Sequence, residues 1–370
     1  MMYLKKVFLT FFMVLFFKQA YAEISLSGYQ EFFAGSADQS IANGHTDFGY
    51  DFGGLSNGQY TRIGADYSTT LDSGLELAGV MTIHSRDCMG DRTDNCGVVN
   101  YNNVVVSGGF GSIGIGEHFG VGATMFSRLT AGGPTAEPDG AIIGNFYTAD
   151  TSANYGAGNE TAYASNVMKL TYFSNSYSGF SVGVGYTPNT VAEQDDAQAT
   201  TITNGVAESF SDMLSVVGKY TAEIDGVGID LAYGMLTGNS GQVAAVNYND
   251  LDETVYSVAI SYAGLTVDYR KNEAGNSGTA KNGNAGNNQG SSYCGVYRFD
   301  KFGIGACNVE TSMTDANNLD NNSKTRTYAA DYSLGGGVTV GAVYFTVEQS
   351  ANNTIMTDVD GVMTMMSIGF

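Results

Sequence analysis

The chain has 370 residues, with 37 Asp and Glu against 16 Lys and Arg, a net charge of −21 and a pI near 4.2. It contains 50 Gly, 24 Tyr and 20 Phe but only three Pro and no Trp, which favours strands and turns over helices. Nucleic-acid binding is excluded because it requires a basic face, whereas an acidic surface suits cations.

The first 22 residues have the pattern of a secretory signal peptide. Lys5 and Lys6 precede an apolar run at residues 7–17, and Ala20 and Ala22 form an A-x-A cleavage site. This run is too short to span a membrane as a helix, and no later stretch approaches the roughly 18 apolar residues required. We therefore expect residues 1–22 to be removed. The mature domain, residues 23–370, keeps 13 basic and 37 acidic side chains, a net charge of −24, and would cross a membrane only with strands.

Residues 59–85 form the unit that the rest of the chain repeats. Ile63 and Tyr67 alternate with polar residues in its first half, and Leu77 and Met81 lie on one face of its second half. Residues 71–74 form a tight connector, so the unit is predicted to be a hairpin. Each strand has about ten residues, the length that crosses a bilayer at a tilt of about 45°.

Sixteen strands are predicted in all. A first strand at residues 23–33 and a long polar loop at 34–58 precede seven hairpins, and a last strand covers 361–370. Short turns alternate with long loops, which is the layout of an outer-membrane barrel with both termini in the periplasm. Residues 120–161 lack the alternation and exceed an ordinary connection, so we expect them to be functional.

The two faces of these strands differ in charge. One face is uncharged, as lipid requires, for example the alternate residues from Phe180 to Tyr186. The other face carries charged side chains. Burying them unpaired in the dry core of a sandwich would cost free energy, whereas a barrel of about sixteen strands encloses water that solvates them. The residues expected to line this wet lumen are Asp66, Lys169, Lys219, Asp230, Asp268, Arg270 and Arg298. A periplasmic aromatic girdle is expected from Phe110, Phe180, Phe299, Phe302, Tyr332 and Phe370.

With these features the chain resembles the general Gram-negative porin family. The matching stretches are TRIGADYSTTLDSGLELAG (61–79), VVVSGGFGSIGIGEH (104–118), NVMKLTYFSNSYSGFSVGVGY (166–186) and the terminal Phe370. The resemblance implies an all-β fold, a transmembrane antiparallel 16-stranded β-barrel with long extracellular loops. It also implies a homotrimer in the outer membrane, among its lipids and lipopolysaccharide, with a water-filled channel. The third loop, residues 121–161, would fold inward and narrow that channel.

The resemblance also implies a constriction site. Arg62 matches the basic residue that the family's RIG strand aims into the pore, and Glu137 and Asp139 are the candidates for the opposite wall. Where the family usually reads Gly-Arg after the GGFG turn, this chain has Gly116 and Glu117. Because Glu117 replaces an expected arginine at the constriction, we expect a mild preference for cations.

Four cysteines in an exported chain favour disulfides. If residues 300–301 are a two-residue turn, Cys294 lies directly opposite Cys307 at a pair with Cα atoms about 4.5 Å apart, within disulfide range. Cys88 and Cys96 would then close the second loop, with free thiols as the alternative. A zinc site with His84 would be incomplete and badly spaced, so we expect no metal.

The patterns together favour a passive channel for small hydrophilic solutes and ions, without a cofactor. Two alternatives stay open: a substrate-selective channel of the same fold, and a non-channel surface β protein such as an adhesin. No Ser, His and Asp set stands out, and the Gly-rich residues 111–122 lack the context of a phosphate-binding loop, so we expect no enzyme activity.

Overall fold

Alternation of apolar and polar residues corresponds to strands along most of the chain that the computed structural model describes. The described residues are 23–41, 44–48, 61–84, 98–127, 143–146, 167–189, 210–240, 242–243, 246–315, 317–352 and 354–370. The predicted signal peptide and the predicted site residues Cys88, Cys96, Glu137 and Asp139 lie outside them. Among the described residues, no helix combines the length and hydropathy needed to span a bilayer.

Sixteen strands of the described chain form one antiparallel sheet wall. They are β1 (Glu23–Ile41), β2 (Thr61–Thr70), β3 (Glu76–His84), β4 (Val98–Gly108), β5 (Gly111–Glu117), β6 (Met168–Phe173), β7 (Phe180–Asn189), β8 (Phe210–Ile224), β9 (Val227–Ser240), β10 (Leu251–Tyr262), β11 (Leu265–Gly275), β12 (Gly286–Phe299), β13 (Phe302–Thr314), β14 (Asp320–Gly335), β15 (Val338–Ala351) and β16 (Thr354–Gly369). The short strand Gly44–Phe48 pairs with the end of β1, and Gln242–Val243 pairs with Val246–Asn247 outside the wall.

The sheet closes on itself between its first and last strands. β1 pairs with β16 from Tyr29 opposite Gly369 to Ile41 opposite Thr357. Gly28 and Phe370 exchange backbone hydrogen bonds of 2.8 and 2.9 Å at the seam. Closure leaves no sheet edge with unpaired backbone groups, which hydrocarbon does not tolerate. The predicted 16-stranded antiparallel barrel is thus confirmed.

Tight turns join the strands at the end of the barrel that holds Glu23 and Phe370. In the turns 225–226 and 263–264 both central residues have positive φ, 51° and 80° at Asp225 and Gly226 and 45° and 86° at Ala263 and Gly264. Two positive φ values define the turn whose twist matches that of a two-residue hairpin. We name this the short-turn end and the opposite one the long-loop end.

Two belts of aromatic rings surround the outer face. Near the short-turn end, Phe299 and Phe302 stack with centroids 5.5 Å apart, and Phe302 lies 4.6 Å from Tyr332. Toward the long-loop end, Tyr269 lies 4.8 Å from Tyr293, and a second pair, Tyr328 and Tyr344, stacks at 6.1 Å. Apolar side chains exposed between the belts, such as Ile304 and Val267, form a surface suited to lipid.

Several strands extend further toward the long-loop end than hydropathy indicated. The prediction of a loop at residues 34–58 was wrong in its first part, since β1 continues to Ile41 and pairs with β16. Likewise β16 begins at Thr354 instead of 361, and β12 at Gly286 instead of 291. Beyond the membrane both faces are polar, so the alternation ends while the backbone hydrogen bonds continue.

Candidate channel and constriction loop

The segment between β5 and β6, here the third loop, enters the barrel directly after β5. Its first turn of helix, α1 (Val121–Met125), has Val121 and Met125 buried. Gly183 and Gly185 on the inner face of β7 leave room for it, because a methyl group at Gly183 would overlap both helix side chains. Glycine at these positions therefore lets the helix lie directly on the wall.

After α1 the loop crosses the inner faces of β9, β10 and β11. Phe126 is buried, and its ring lies 5.1 Å from the guanidinium of Arg270, within cation–π range. The Ser127 hydroxyl donates to Asp268 Oδ2 at 2.7 Å, and the Ser127 amide donates to Ser257 Oγ at 3.3 Å. We name residues 121–127 the first anchor of the loop.

A second part of the loop packs on the opposite side of the barrel. Ile143–Phe146 forms a 3-10 turn, and the Phe146 ring lies 6.1 Å from Phe33 and 6.3 Å from Phe345. Phe146 and Ile143 are each 1% exposed within a cluster from β1 and β12 to β16. We name Ile143–Phe146 the second anchor, and it lies on the opposite side of the lumen from the first.

The base of the loop is held by buried polar contacts. Lys169, 2% exposed on the inner face of β6, donates to the carbonyls of His118 and Val167. His118 Nδ1 lies 3.0 Å from the Gly116 carbonyl oxygen, and His118 Nε2 lies 2.8 Å from Thr171 Oγ1. Burial first, then the charge of Lys169, lowers the pKa of His118 to about 4. The imidazole is therefore neutral at pH 7, with Nδ1–H donating to the carbonyl and Nε2 accepting from the hydroxyl.

Arg62 lies on the inner face of β2, opposite in alternation to the exposed outer residue Ile63. Its guanidinium lies 5.1 Å from the Tyr29 ring on the neighbouring strand β1 and 5.5 Å from the Tyr101 ring on β4, two strands away on the other side. Phe119, at the mouth of the third loop, contacts the Tyr101 ring edge-on at 5.3 Å and is itself exposed. Arg62 thus stands in an aromatic cluster that the sequence did not indicate.

The other predicted lumen residues all lie on the inner face, in two groups. Toward the short-turn end, Lys219 Nζ is 2.6 Å from Asp230 Oδ2, while the Arg298 guanidinium is 3.1 Å from the buried Asp331. Asp66 accepts a hydrogen bond from Ser27. The second group is Lys169, Asp268 and Arg270, which are at most 7% exposed. These three support the third loop and do not face open water, because the loop covers them.

The prediction of Glu117 as a constriction residue conflicts with the strand register. Glu117 pairs with Asn102 and with Met168, and Met168, like Ile115, is exposed on the outer face. Paired residues in antiparallel strands point to the same face. Glu117 therefore belongs to the outer face, and His118 is the residue that turns inward.

The structure joins Cys294 and Cys307 in a disulfide between β12 and β13, with Cα atoms 4.2 Å apart. Both cysteines are buried on the inner face, in the cluster that receives Phe146. Among the described residues, no group of three or more His, Cys, Asp and Glu side chains is arranged to hold a metal ion.

A closed barrel with two segments of one loop packed on opposite sides of its inner wall is the architecture of an outer-membrane channel. The comparison with protein families agrees, since the family described as Gram-negative porin matches residues 13–352. The chain belongs to the Gram-negative porin family, which places it in the outer membrane. No curated protein matches the sequence significantly.

Solved structures share this fold at low sequence identity. The anion-selective porin from Comamonas acidovorans has a TM-score of 0.62 at 13% identity, covering 95% of this chain and 100% of the other. Salmonella typhi OmpF, in complex with daunomycin, gives 0.62 at 16%, covering 94% and 97%. The trimer form of OmpT of Vibrio cholerae gives 0.58 at 11%, covering 94% and 99%. At these identities the likeness concerns the fold alone.

Proposed function

We propose that the protein is a water-filled channel for passive diffusion of small hydrophilic solutes and ions, with a mild preference for cations. This preference is supported by one observation: the basic side chains of the inner wall named here are already paired or buried. Lys219 and Arg298 are each paired with a carboxylate, and Lys169 is buried against carbonyls. The inner wall therefore offers little free positive charge, while the mature chain has a net charge of −24.

The preference should be mild because the lumen is wet. Two unit charges 4 Å apart interact by only about 1 kcal/mol in water, and a tenfold preference requires about 1.4 kcal/mol. Charges on a hydrated wall can therefore bias ion flow without excluding one sign.

The same proposal includes the mature form and its assembly. Residues 1–22 act as a signal peptide, and three copies of residues 23–370 associate in the membrane, a state supported by the trimer form described for OmpT of Vibrio cholerae. Glu137 and Asp139 within residues 121–161 face Arg62 across the constriction, and Cys88 bonds Cys96. The channel works without a cofactor or a metal and is not an enzyme.

Reversal potentials in a KCl gradient across planar bilayers test this function. We expect a modest cation preference in the wild type and a larger one in Arg62→Ala, because that substitution removes a lumen base without an acidic partner among the described residues. An anion preference would contradict the charge argument. A purified, folded chain that never conducts would instead favour a non-channel surface protein.

A substrate-selective channel is the second candidate, and the cluster of Tyr29, Arg62, Tyr101 and Phe119 favours it. A guanidinium beside aromatic rings, of which Phe119 is exposed, can bind a planar carboxylate by charge and by stacking. If benzoate blocks the current in a saturable way in the wild type and less in Phe119→Ala, this candidate gains support. A linear conductance that benzoate does not block would favour the passive channel over the substrate-selective one.

A further inference from the structure

The disulfide between Cys294 and Cys307 lies in a row of inner-wall residues that carries contacts of both loop anchors. Asp268, which accepts the side-chain hydrogen bond of the first anchor, is opposite Cys294 in the register of β11 and β12. From Cys307 the row continues through Thr327 of β14 to Phe345 of β15. Phe345 is one of the two rings against which the second anchor packs. The disulfide therefore lies between the two places where the loop is attached to the wall.

The two sulfur atoms are covered on the side of the lumen. Cys294 and Cys307 are 5% and 3% exposed, although a side chain on the inner face of a barrel points toward the water-filled interior. Both belong to one apolar cluster with Ile143 and Phe146 of the second anchor. Because the outer face of the same strands meets lipid, a hydrophilic solute reaches the disulfide from the lumen. The second anchor therefore shields the disulfide from such solutes.

Strands β12 and β13 do not depend on this bond for their pairing. They form an antiparallel ladder from Gly286 opposite Thr314 to Phe299 opposite Phe302, and the wall around them is closed. Reduction of the disulfide therefore leaves the barrel in place. It changes the inner face instead, because bonded sulfur atoms are closer together than two non-bonded atoms can be. Two separate thiols need more room within the cluster that receives the second anchor.

We propose that Cys294 and Cys307 form a redox site whose reduction by small thiols is coupled to docking of the second anchor. A thiol in the lumen reaches the sulfur atoms while Ile143 and Phe146 are away from the wall. The two cysteine thiols that result then overpack the cluster and disfavour docking. Because linkage is reciprocal, a disulfide that favours docking is also harder to reduce while the anchor is docked.

The reductant is a small hydrophilic thiol, because a folded protein is too large to enter the lumen. Its thiolate attacks one sulfur atom of the disulfide and displaces the other cysteine as a thiolate, which leaves a mixed disulfide. A second thiol attacks the mixed disulfide and releases the bound cysteine. Two thiols are thereby oxidised to one small disulfide, and the two cysteines take up the two protons. Exchange with a small disulfide runs the same steps in reverse and restores the bond.

Timed reduction of the refolded, oxidised full-length chain in detergent tests this coupling. Dithiothreitol is the reductant, iodoacetamide traps the free thiols, and peptide mapping follows the peptides that contain Cys294 and Cys307. We expect slow reduction in the wild type and reduction at least about tenfold faster in Phe146→Ala, because loss of a buried ring shifts docking by a factor of ten or more. Phe146→Leu keeps most of the apolar contact and should be reduced at nearly the rate of the wild type.

Leu236→Ala is the matched control for a cavity elsewhere in the barrel. Leu236 is 1% exposed, as Phe146 is, but it packs with Phe210, Met213 and Leu251 in a cluster that, among the described residues, contains no cysteine. This substitution should leave the reduction rate unchanged. If general loosening of the barrel exposed the disulfide, the two alanine variants would be reduced faster alike.

Hydrogen exchange followed by mass spectrometry tests the opposite direction of the coupling in the wild type itself. Peptides that contain residues 143–146 should exchange about tenfold faster after reduction, because overpacking weakens docking by a factor of that order. In Phe146→Ala, reduction should add little to the exchange rate, since the anchor already leaves the wall.

Three results would overturn the coupling: equal reduction rates in the wild type and Phe146→Ala, equal acceleration in Leu236→Ala and Phe146→Ala, or unchanged exchange at residues 143–146 after reduction. Heat-modifiable migration on gels checks that each variant is folded. The proposal rests on the packed loop but not on conduction. A chain that shows the coupling without conducting would contradict only the proposed channel, and one that conducts with a reduction rate independent of the anchor would contradict only this site.

Discussion

The two anchors of the third loop attach to the barrel wall by different means. The first anchor fits a helix turn into a gap left by Gly183 and adds directional contacts from Ser127 to Ser257 and Asp268. The second anchor is an apolar 3-10 turn buried against Phe33 and Phe345. Close packing and hydrogen bonds therefore fix the first anchor, whereas burial of apolar side chains holds the second.

The largest effect on single-channel conductance is expected when the second anchor loses the aromatic ring of Phe146. Phe146→Ala removes a side chain that is 1% exposed, and truncation of a buried Phe costs about 3–5 kcal/mol. The loop should leave the wall of β1 and β15 for part of the time, giving a larger and noisier single-channel conductance. Phe146→Leu keeps most of the apolar contact and should stay close to the wild type. Equal conductance traces for the Ala variant and the wild type would mean that this anchor does not hold the loop.

A smaller effect on conductance is expected when a larger side chain fills the gap beneath the first anchor. Gly183→Val introduces atoms where Val121 and Met125 lie, and overpacking of this kind costs about 1–3 kcal/mol. We expect conductance steps that the wild type lacks. Gly218→Val on β8 is the control, because nothing lies within 4 Å of a Cβ at that glycine. If the two valine variants behave alike, helix α1 is not seated on β7.

The side-chain hydrogen bond of the first anchor can be removed while its backbone hydrogen bond to Ser257 remains. Ser127→Ala takes one donor from the carboxylate of Asp268, a loss of about 1–3 kcal/mol for a buried charged group. Because the packing of Phe126 remains, this variant should fluctuate less than Gly183→Val in the same bilayer recordings. A Ser127→Thr variant keeps the hydroxyl and should restore quiet conductance. Fluctuations as large as those of Phe146→Ala would reverse the ranking of the two anchors.

The smallest effect on conductance is expected from pH, which acts on the stability of the folded chain. The pKa of His118 is lowered from 6.5 to about 4 in the folded chain, so an unfolded chain takes up the proton first as pH falls. The stability contributed by the neutral imidazole is present above about pH 6.5 and is lost between there and pH 4. The thermal midpoint in detergent should therefore fall across this window, and less steeply in His118→Gln. Parallel pH curves for both proteins would exclude His118 as the cause.

The wall of the barrel was predictable from the sequence, whereas the loop inside it was not. A period of two residues and tight turns specify each hairpin and its register, which is how Cys294 could be placed opposite Cys307 from the turn at residues 300–301. The loop has no such period, and its contacts are distant in sequence, since Ser127 and Asp268 are 141 residues apart.

For the site residues too, the sequence predicted the face of the wall but not the contacts with the loop. Alternation assigned Lys169 and Arg270 to the inner face but could not reveal that the loop covers them. The prediction for Glu117 was wrong because strand register, and not similarity to a family motif, decides which face a side chain occupies. The glycines of SVGVGY at residues 181–186 were the available signal for a close contact on that wall, because a strand keeps glycine where another backbone approaches.

The length of the strands determines what an arriving solute meets first. β14 has 16 residues, about six more than a bilayer requires, so at a tilt near 45° its tip rises roughly 14 Å above the hydrocarbon. Physiological salt screens charges over about 8 Å. Headgroups extend about 5 to 7 Å beyond the hydrocarbon, so the rim of this collar lies about one screening length above the charged lipid surface. An ion that approaches the rim therefore responds more strongly to the protein's own acidic residues than to the lipid.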